Sequence, residues 1–334
     1  MLLNDASNTR HLDLLCSGST TKLLLIYGAR EMASPLFTAD EASDPGYRSI
    51  RDGTDPRLRL AKWHCEYLWN FFGRHADKEY RTELRRTFDA RYWEMYLTTS
   101  LILSGYEVCC PRPGPDVGIV YRGQRIWFEA VAPDCGDPGK PDSVPPQTGG
   151  QVPEDKIILR YLNSIATKHK DQYSKWLAKG AVSEKDVMIY AINPWEISWD
   201  HKDGDPPRVL QAAYTVSLPN ITIDRASMKV IGTGYEFRGF IRKALTKECP
   251  KGPKVTTGIF QQKEYAWLSG LLCSRLDATN RPGEMGANFQ LAPNLHAKAP
   301  LPEGFRLQGT YYATKQVDIG YQVTPVTVSR PTLF

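Results

Sequence analysis

From residue 55 onward apolar side chains recur at helical spacing through PRLRLAKWHCEYLWNFFG, and the pattern stops at Gly73. A second, longer helix is predicted over about 78–104, halted by Gly105, a residue type suited to the left-handed turn just past a helix. The rhythm then shortens. YEVCCP, DVGIVY and QRIWFEAVAP read as strands, the last two joined by Arg122-Gly123. Between residues 134 and 151 Pro, Gly and Asp crowd together and predict a loop; one of that length in a compact domain is usually functional or mobile. KIILRYLNSIATKHKDQYSKWLAKG follows as an amphipathic helix, and DVMIYAINP as a buried strand. Beyond residue 205 the pattern predicts strands and loops, with one helix near 263–275. Ahead of residue 55, KLLLIYG at 22–28 has the composition of a strand, and 34–55 is rich in turn formers.

Helix, strands, helix and strand in that order imply an α/β or α+β core at about 75–200. A partly helical extension precedes it at 1–74. A second extension of strands and loops, packed on the core, follows at 201–334.

The chain has 334 residues, enough for one large domain or two modest ones, and its 41% hydrophobic content supports a sizeable core. A net charge of +5 and a pI near 8.7 tilt it towards anionic partners without requiring them. Seven cysteines occur with no CxxC pair, and the six histidines are scattered, so no zinc spacing is present. Reduced thiols in a cytoplasmic setting are the expectation. The start MLLNDASNTRHLDLL lacks a basic segment followed by a long apolar run, and the aliphatic stretch at 23–27 is too short to span a bilayer.

Candidate chemistry begins in the hairpin. With Arg122-Gly123 as a two-residue turn, residue i faces residue 245 − i, so Val117 faces Phe128 and Asp116 faces Glu129. Val117, Ile119, Ile126 and Phe128 then share one face, and the two carboxylates lie together on the other. Like charges directly opposed on neighbouring strands destabilise them, and a divalent cation with hard oxygen ligands, Mg²⁺ or Mn²⁺, would relieve that cost. Two solvated edge-strand acids fit the same spacing. Glu94 in the long helix has Ala90, Leu97 and Leu101 on its own face, which predicts a carboxylate at or inside the apolar border.

Together these pieces resemble the PD-(D/E)xK nuclease superfamily over about residues 90–195: RYWEMYLTTSLILSGYEV carries Glu94, Pro115-Asp116 follow, and WFEAVAP carries Glu129. The resemblance implies a restriction-endonuclease-like core, a small mixed sheet flanked by helices. It also implies that Glu94, Asp116 and Glu129 gather one or two Mg²⁺ (or Mn²⁺) ions and that the activity is metal-dependent hydrolysis of DNA or RNA. One position departs. The superfamily's lysine belongs two residues after the strand acid, and Val131 stands there. Some members carry that lysine on a neighbouring helix. Here Tyr161, Ile165, Lys168 and Gln172 form an i, i+4, i+7, i+11 stripe that places Lys168 on an apolar face, where its stem otherwise simply passes the core edge. Lys170 is a second candidate. Arg160, in line with Ser164 and Lys168, and Gln172 are candidate substrate contacts.

The expected function is thus a magnesium-dependent endonuclease; the alternative is a catalytically inactive module of the same fold that binds nucleic acid or protein. Paired carboxylates also suit glycoside hydrolysis, but that chemistry leaves Glu94 without a role. Gly232-Thr233-Gly234 is only a fragment of a dinucleotide loop, and Asn193-Pro194-Trp195 reads as the end of a strand. His296 and Lys298 lie in a proline-punctuated segment that reads as a structural turn, although it also allows them to face the site.

Overall fold

Asp44 and Asp55 each stand before a proline, and each starts a helix. The computed structural model describes residues 34–245, 252–318 and 320–329. By its contacts the chain divides into Met1–Pro35 and Leu36–Phe334, and the elements described below belong to the second unit. The strand expected at 22–28 lies outside the described residues. At α1 (Pro45–Asp52) the Asp44 carboxylate accepts from the Tyr47 N–H; at α2 (Pro56–Phe72) Asp55 accepts from those of Arg57 and Leu58. Such carboxylates satisfy N–H groups that have no partner inside the helix, and a leading proline forfeits none. Helix α1 lies in a stretch whose turn-rich composition predicts no helix; the Asp44-Pro45 start is the local signal for it.

The single helix predicted over 78–104 is two, α3 (Tyr80–Leu84) and α4 (Phe88–Leu103). Thr87, at φ −143° and ψ 66°, leaves helical space between them. The Phe88 N–H is then capped from a distance, by the second carboxylate oxygen of Asp44 at 3.0 Å. A cap supplied from 44 residues away has no local sequence signature. Every residue of α4 from Tyr92 to Leu101 is buried. Leu97 and Leu101 each contribute roughly 1.5–3 kcal/mol by leaving water, and the Trp93 indole donates to the Ala191 carbonyl at 2.8 Å.

Strands β1 (Val108–Cys109), β2 (Val117–Tyr121) and β3 (Gln124–Val131) run antiparallel in succession. Helix α5 (Glu154–Lys168), a π-helical turn at His169–Tyr173 and the short α6 (Ser174–Ala178) then lead to β4 (Val187–Ile192), parallel to β3. After α7 (Arg208–Ala213) come two small ribbons, β5 (Val216–Ile223) with β6 (Val230–Phe237) and β7 (Phe240–Arg242) with β8 (Lys254–Thr256). The chain ends in β9 (Gly270–Cys273), β10 (Gln290–Pro293), β11 (Gly309–Val317) and β12 (Gly320–Val328).

The sheet expected to be small has eight strands among the described residues, ordered β1-β2-β3-β4-β9-β10-β11-β12. Half of it comes from the C-terminal third of the chain, which pairs onto β4 through the parallel strand β9. The helix expected near 263–275 is absent: a single 3₁₀ turn at Lys263–Tyr265 precedes β9. The apolar run GLLC is buried throughout between two partner strands, and so short a run fits a central strand as well as a helix.

One face of the sheet buries Val117, Ile119, Ile126 and Phe128 with α1, α2 and α4. The other buries Trp127, Val131, Met188 and Tyr190 with α5 and α7. The fold is therefore a large mixed sheet with helices on both faces. Residues 134–151 hold no helix or strand, as their composition predicts. The described cysteines, at 65, 109, 110, 135 and 273, are free thiols. Among the described residues no helix is long and apolar enough to cross a membrane.

Candidate active site

The hairpin pairs as its sequence predicts: Val117 lies opposite Phe128 and Ile119 opposite Ile126. Arg122 and Gly123 both have positive φ, 50° and 81°, the requirement of a tight turn matched to strand twist. Alternation then carries Glu129 to the α5 face between Trp127 and Val131, where it is 2% exposed. Asp116 sits just ahead of β2 and accepts the Ala130 N–H through Oδ2 at 2.8 Å, which anchors one of its oxygens.

Lys168, the last residue of α5, continues the stripe of the buried Tyr161 and Ile165. Its Nζ lies 2.5 Å from Glu129 Oε1, while Glu129 Oε2 is buried without a hydrogen-bond partner. Burial, joined by the charge of Asp116, pushes the Glu129 carboxyl up to about 8, against the opposing pull of Lys168. For Lys168 burial acts downward, but Glu129 and Asp116 outweigh it and raise the ammonium above its ordinary value. Desolvation raises the proton affinity of the acid, and it is the ionised forms of Glu129 and Asp116 that hold the lysine charged.

Glu94 is equally buried, at 2% exposure, and is held differently. Arg91 meets its Oε2 at 2.6 Å and Arg112 its Oε1 at 3.1 Å. Burial and the Asp116 charge still raise its carboxyl to about 7. Arg91 is braced from behind by Glu83 at 2.8 Å, whereas Arg112 reaches Asp77 at 3.4 Å and Asp116 at 3.9 Å as well.

These groups line or underlie an open cleft of about 440 Å³ bounded by α4, the end of β3, residues 132–134 and α5. Glu94, Asp116 and Lys168 are on its wall; Glu129 lies beneath, reached through Lys168. Arg160 is also on the wall, and its guanidinium is bound to Asp134 by its carboxylate at 2.6 Å and its carbonyl at 2.8 Å. Gln172 is not a wall residue. The π turn after Lys168 widens the helix, so the stripe counted from Tyr161 loses register there. The side chain of Lys170 lies outside the described residues. His296 and Lys298 stand apart from the cleft and bond to Tyr321 and Glu184.

The sequence pattern does not single out Arg91, Arg112 or Asp134. Arg91 is open to detection, three residues before Glu94 on the same helical face. Arg112 and Asp134 come from irregular segments whose reach has no local signature.

The charged wall residues with their ion-pair partners comprise five carboxylates (Glu83, Glu94, Asp116, Glu129, Asp134) and four cations (Arg91, Arg112, Arg160, Lys168). Fully ionised, the set carries one uncompensated negative charge. No family model, curated protein or solved structure matches this chain. Among the described residues no three His, Cys, Asp or Glu side chains are gathered closely enough to hold a metal ion in the present geometry. The donor set fits a hard cation in kind: buried oxygens, one of them, Glu129 Oε2, unpartnered. In arrangement it is incomplete, because both oxygens of Glu94 are occupied by guanidinium groups.

Proposed function

We propose that the cleft hydrolyses phosphodiester bonds of DNA or RNA with Mg²⁺ or Mn²⁺ as cofactor, on a restriction-endonuclease-like core of the PD-(D/E)xK type. The contact that supports this reading is Lys168 on Glu129: a helix lysine meets the strand acid of a chain whose strand-lysine position is held by Val131. Asp116, Glu129 and, once relieved of a guanidinium, Glu94 are the candidate ligands. A divalent ion supplies Lewis-acid charge for a phosphoryl oxygen and acidifies water near neutral pH.

The chain's own groups perform the rest. Lys168, kept protonated by its acidic neighbours, orients the attacking water and offsets negative charge developing at phosphorus. Asp116, anchored on the Ala130 N–H, presents its other oxygen from a fixed position. Arg91 and Arg160 on the walls supply donors for the phosphates beside the scissile one.

A second reading, a catalytically inactive nuclease-fold module that binds nucleic acid or protein, is favoured by the saturation of Glu94 with arginine. Cleavage assays on single- and double-stranded DNA and RNA, with and without Mn²⁺, separate the two. Metal-dependent cleavage that Asp116→Ala and Glu129→Ala abolish, with melting behaviour retained, supports the nuclease. Salt-sensitive binding without cleavage supports the module.

A further inference from the structure

The geometry points to Arg112 as the resident counter-ion of the Glu94–Asp116 pair, one that yields Glu94 to a divalent cation and turns to the substrate phosphate. This rests on the nuclease reading above and assigns within it a residue that the sequence pattern does not single out.

Arg112 Nη2 holds Glu94 Oε1 at 3.1 Å and its Nη1 stands 3.9 Å from Asp116 Oδ1, so the guanidinium bridges the two wall acids. A hard cation that takes Glu94 Oε1 must displace it. The two arginines on Glu94 are not equivalent in this exchange. Arg91 projects from helix α4 and is gripped at 2.6 Å by Glu94 and 2.8 Å by Glu83. Arg112 projects from the irregular segment between β1 and β2, its contacts are longer, and its side chain is 37% exposed. The looser group leaves first. Asp77, 3.4 Å from Arg112 Nε, gives it a second anchor after release. A guanidinium retained there has its flat fork free for a phosphate, whose paired oxygens it matches. The same residue thereby keeps the buried acids tolerable before the metal arrives and contributes to phosphate binding afterwards.

Arg112→Met keeps much of the side chain's length and removes its charge. Mn²⁺ titrated calorimetrically into the full chain without nucleic acid should bind this variant about tenfold more tightly than the parent, the equivalent of one charged hydrogen bond no longer in competition. With substrate present, the variant's KM for a nucleic-acid oligonucleotide should rise, and Arg112→Lys should recover part of the loss. Should Arg112→Met fold poorly, ¹⁵N-labelled parent protein answers the same question, because the Arg112 Nε signal should move as Mg²⁺ is added. Unchanged or weaker Mn²⁺ binding in Arg112→Met, or an Arg112 signal indifferent to saturating Mg²⁺, overturns the exchange while leaving the nuclease reading intact. Absence of Mn²⁺ binding in parent and variant alike overturns both.

Discussion

The Lys168 ammonium meets the Glu129 carboxylate at 2.5 Å across 39 positions of sequence, from the last turn of one helix to the buried face of a central strand. The two residues depend on each other. Without Glu129 the lysine is a half-buried cation with no partner on its ammonium at this position, and without Lys168 the acid has lost the cation beside it.

Lys168→Met should therefore lower cleavage at least about 100-fold, the scale of losing one electrostatic donor at a reacting phosphate. Mn²⁺ binding should survive, since the lysine is not a ligand. Single-turnover cleavage and calorimetry on the same preparation check this. Adding Val131→Lys restores the usual superfamily position, two residues on from Glu129 and on the same face of β3, and should recover part of the rate. Parental cleavage by Lys168→Met would show that the lysine is no part of the chemistry.

The raised carboxyls predict the pH dependence of stability. Glu129 and Glu94 are displaced upward from an ordinary 4.5, to about 8 and about 7, so the folded state binds their protons more tightly than the unfolded chain does. Their contribution is fully present below about 4.5 and is lost as pH rises through 7 and 8. Thermal melting of the metal-free protein should fall between pH 5.5 and pH 8.5. Glu129→Gln, neutral at every pH, should flatten that slope. A parent melting curve that rises over this interval would contradict the placement of these acids.

Asp44 serves two helices, accepting from Tyr47 in α1 at 2.9 Å and from Phe88 in α4 at 3.0 Å. Asp44→Ala should cost about 1–2 kcal/mol or more, because a single cap is worth ~1 kcal/mol and two are lost together. Asp55→Ala, which removes the cap of α2 alone, is the comparison. Urea unfolding midpoints of the two variants measure the difference, and equal losses would mean that the contact with α4 contributes nothing.

Binding to nucleic acid should weaken steeply with salt, since phosphate contacts release counterions. The expected contacts are Arg91 and Arg160 on the cleft wall. Arg160→Gln should reduce the slope of log affinity against log salt by about one, with fluorescence anisotropy on a Lys168→Met background as the measurement. A slope unchanged by Arg160→Gln would place the backbone contacts elsewhere.

How much of the fold and the cleft is legible along the chain depends on how local each cause is. The hairpin register follows from a two-residue turn and alternation, so Val117 opposite Phe128 and the burial of Ile119 and Ile126 are readable from residue order alone. The buried stripe that brings Lys168 inward is likewise a matter of spacing along one helix. Other features have causes far away in sequence. The start of α4 at Phe88 is capped by Asp44, and β9 is held as a strand by pairing with β4 and β10. The clamp on Glu94 combines a neighbour on its own helix with an arginine from a loop 18 residues away. Periodicity decides which side of an element is apolar, because that depends only on the turn per residue. Which charge arrives to meet a buried carboxylate depends on how separate elements pack, and only the folded chain brings Arg112 to Glu94 and Lys168 to Glu129.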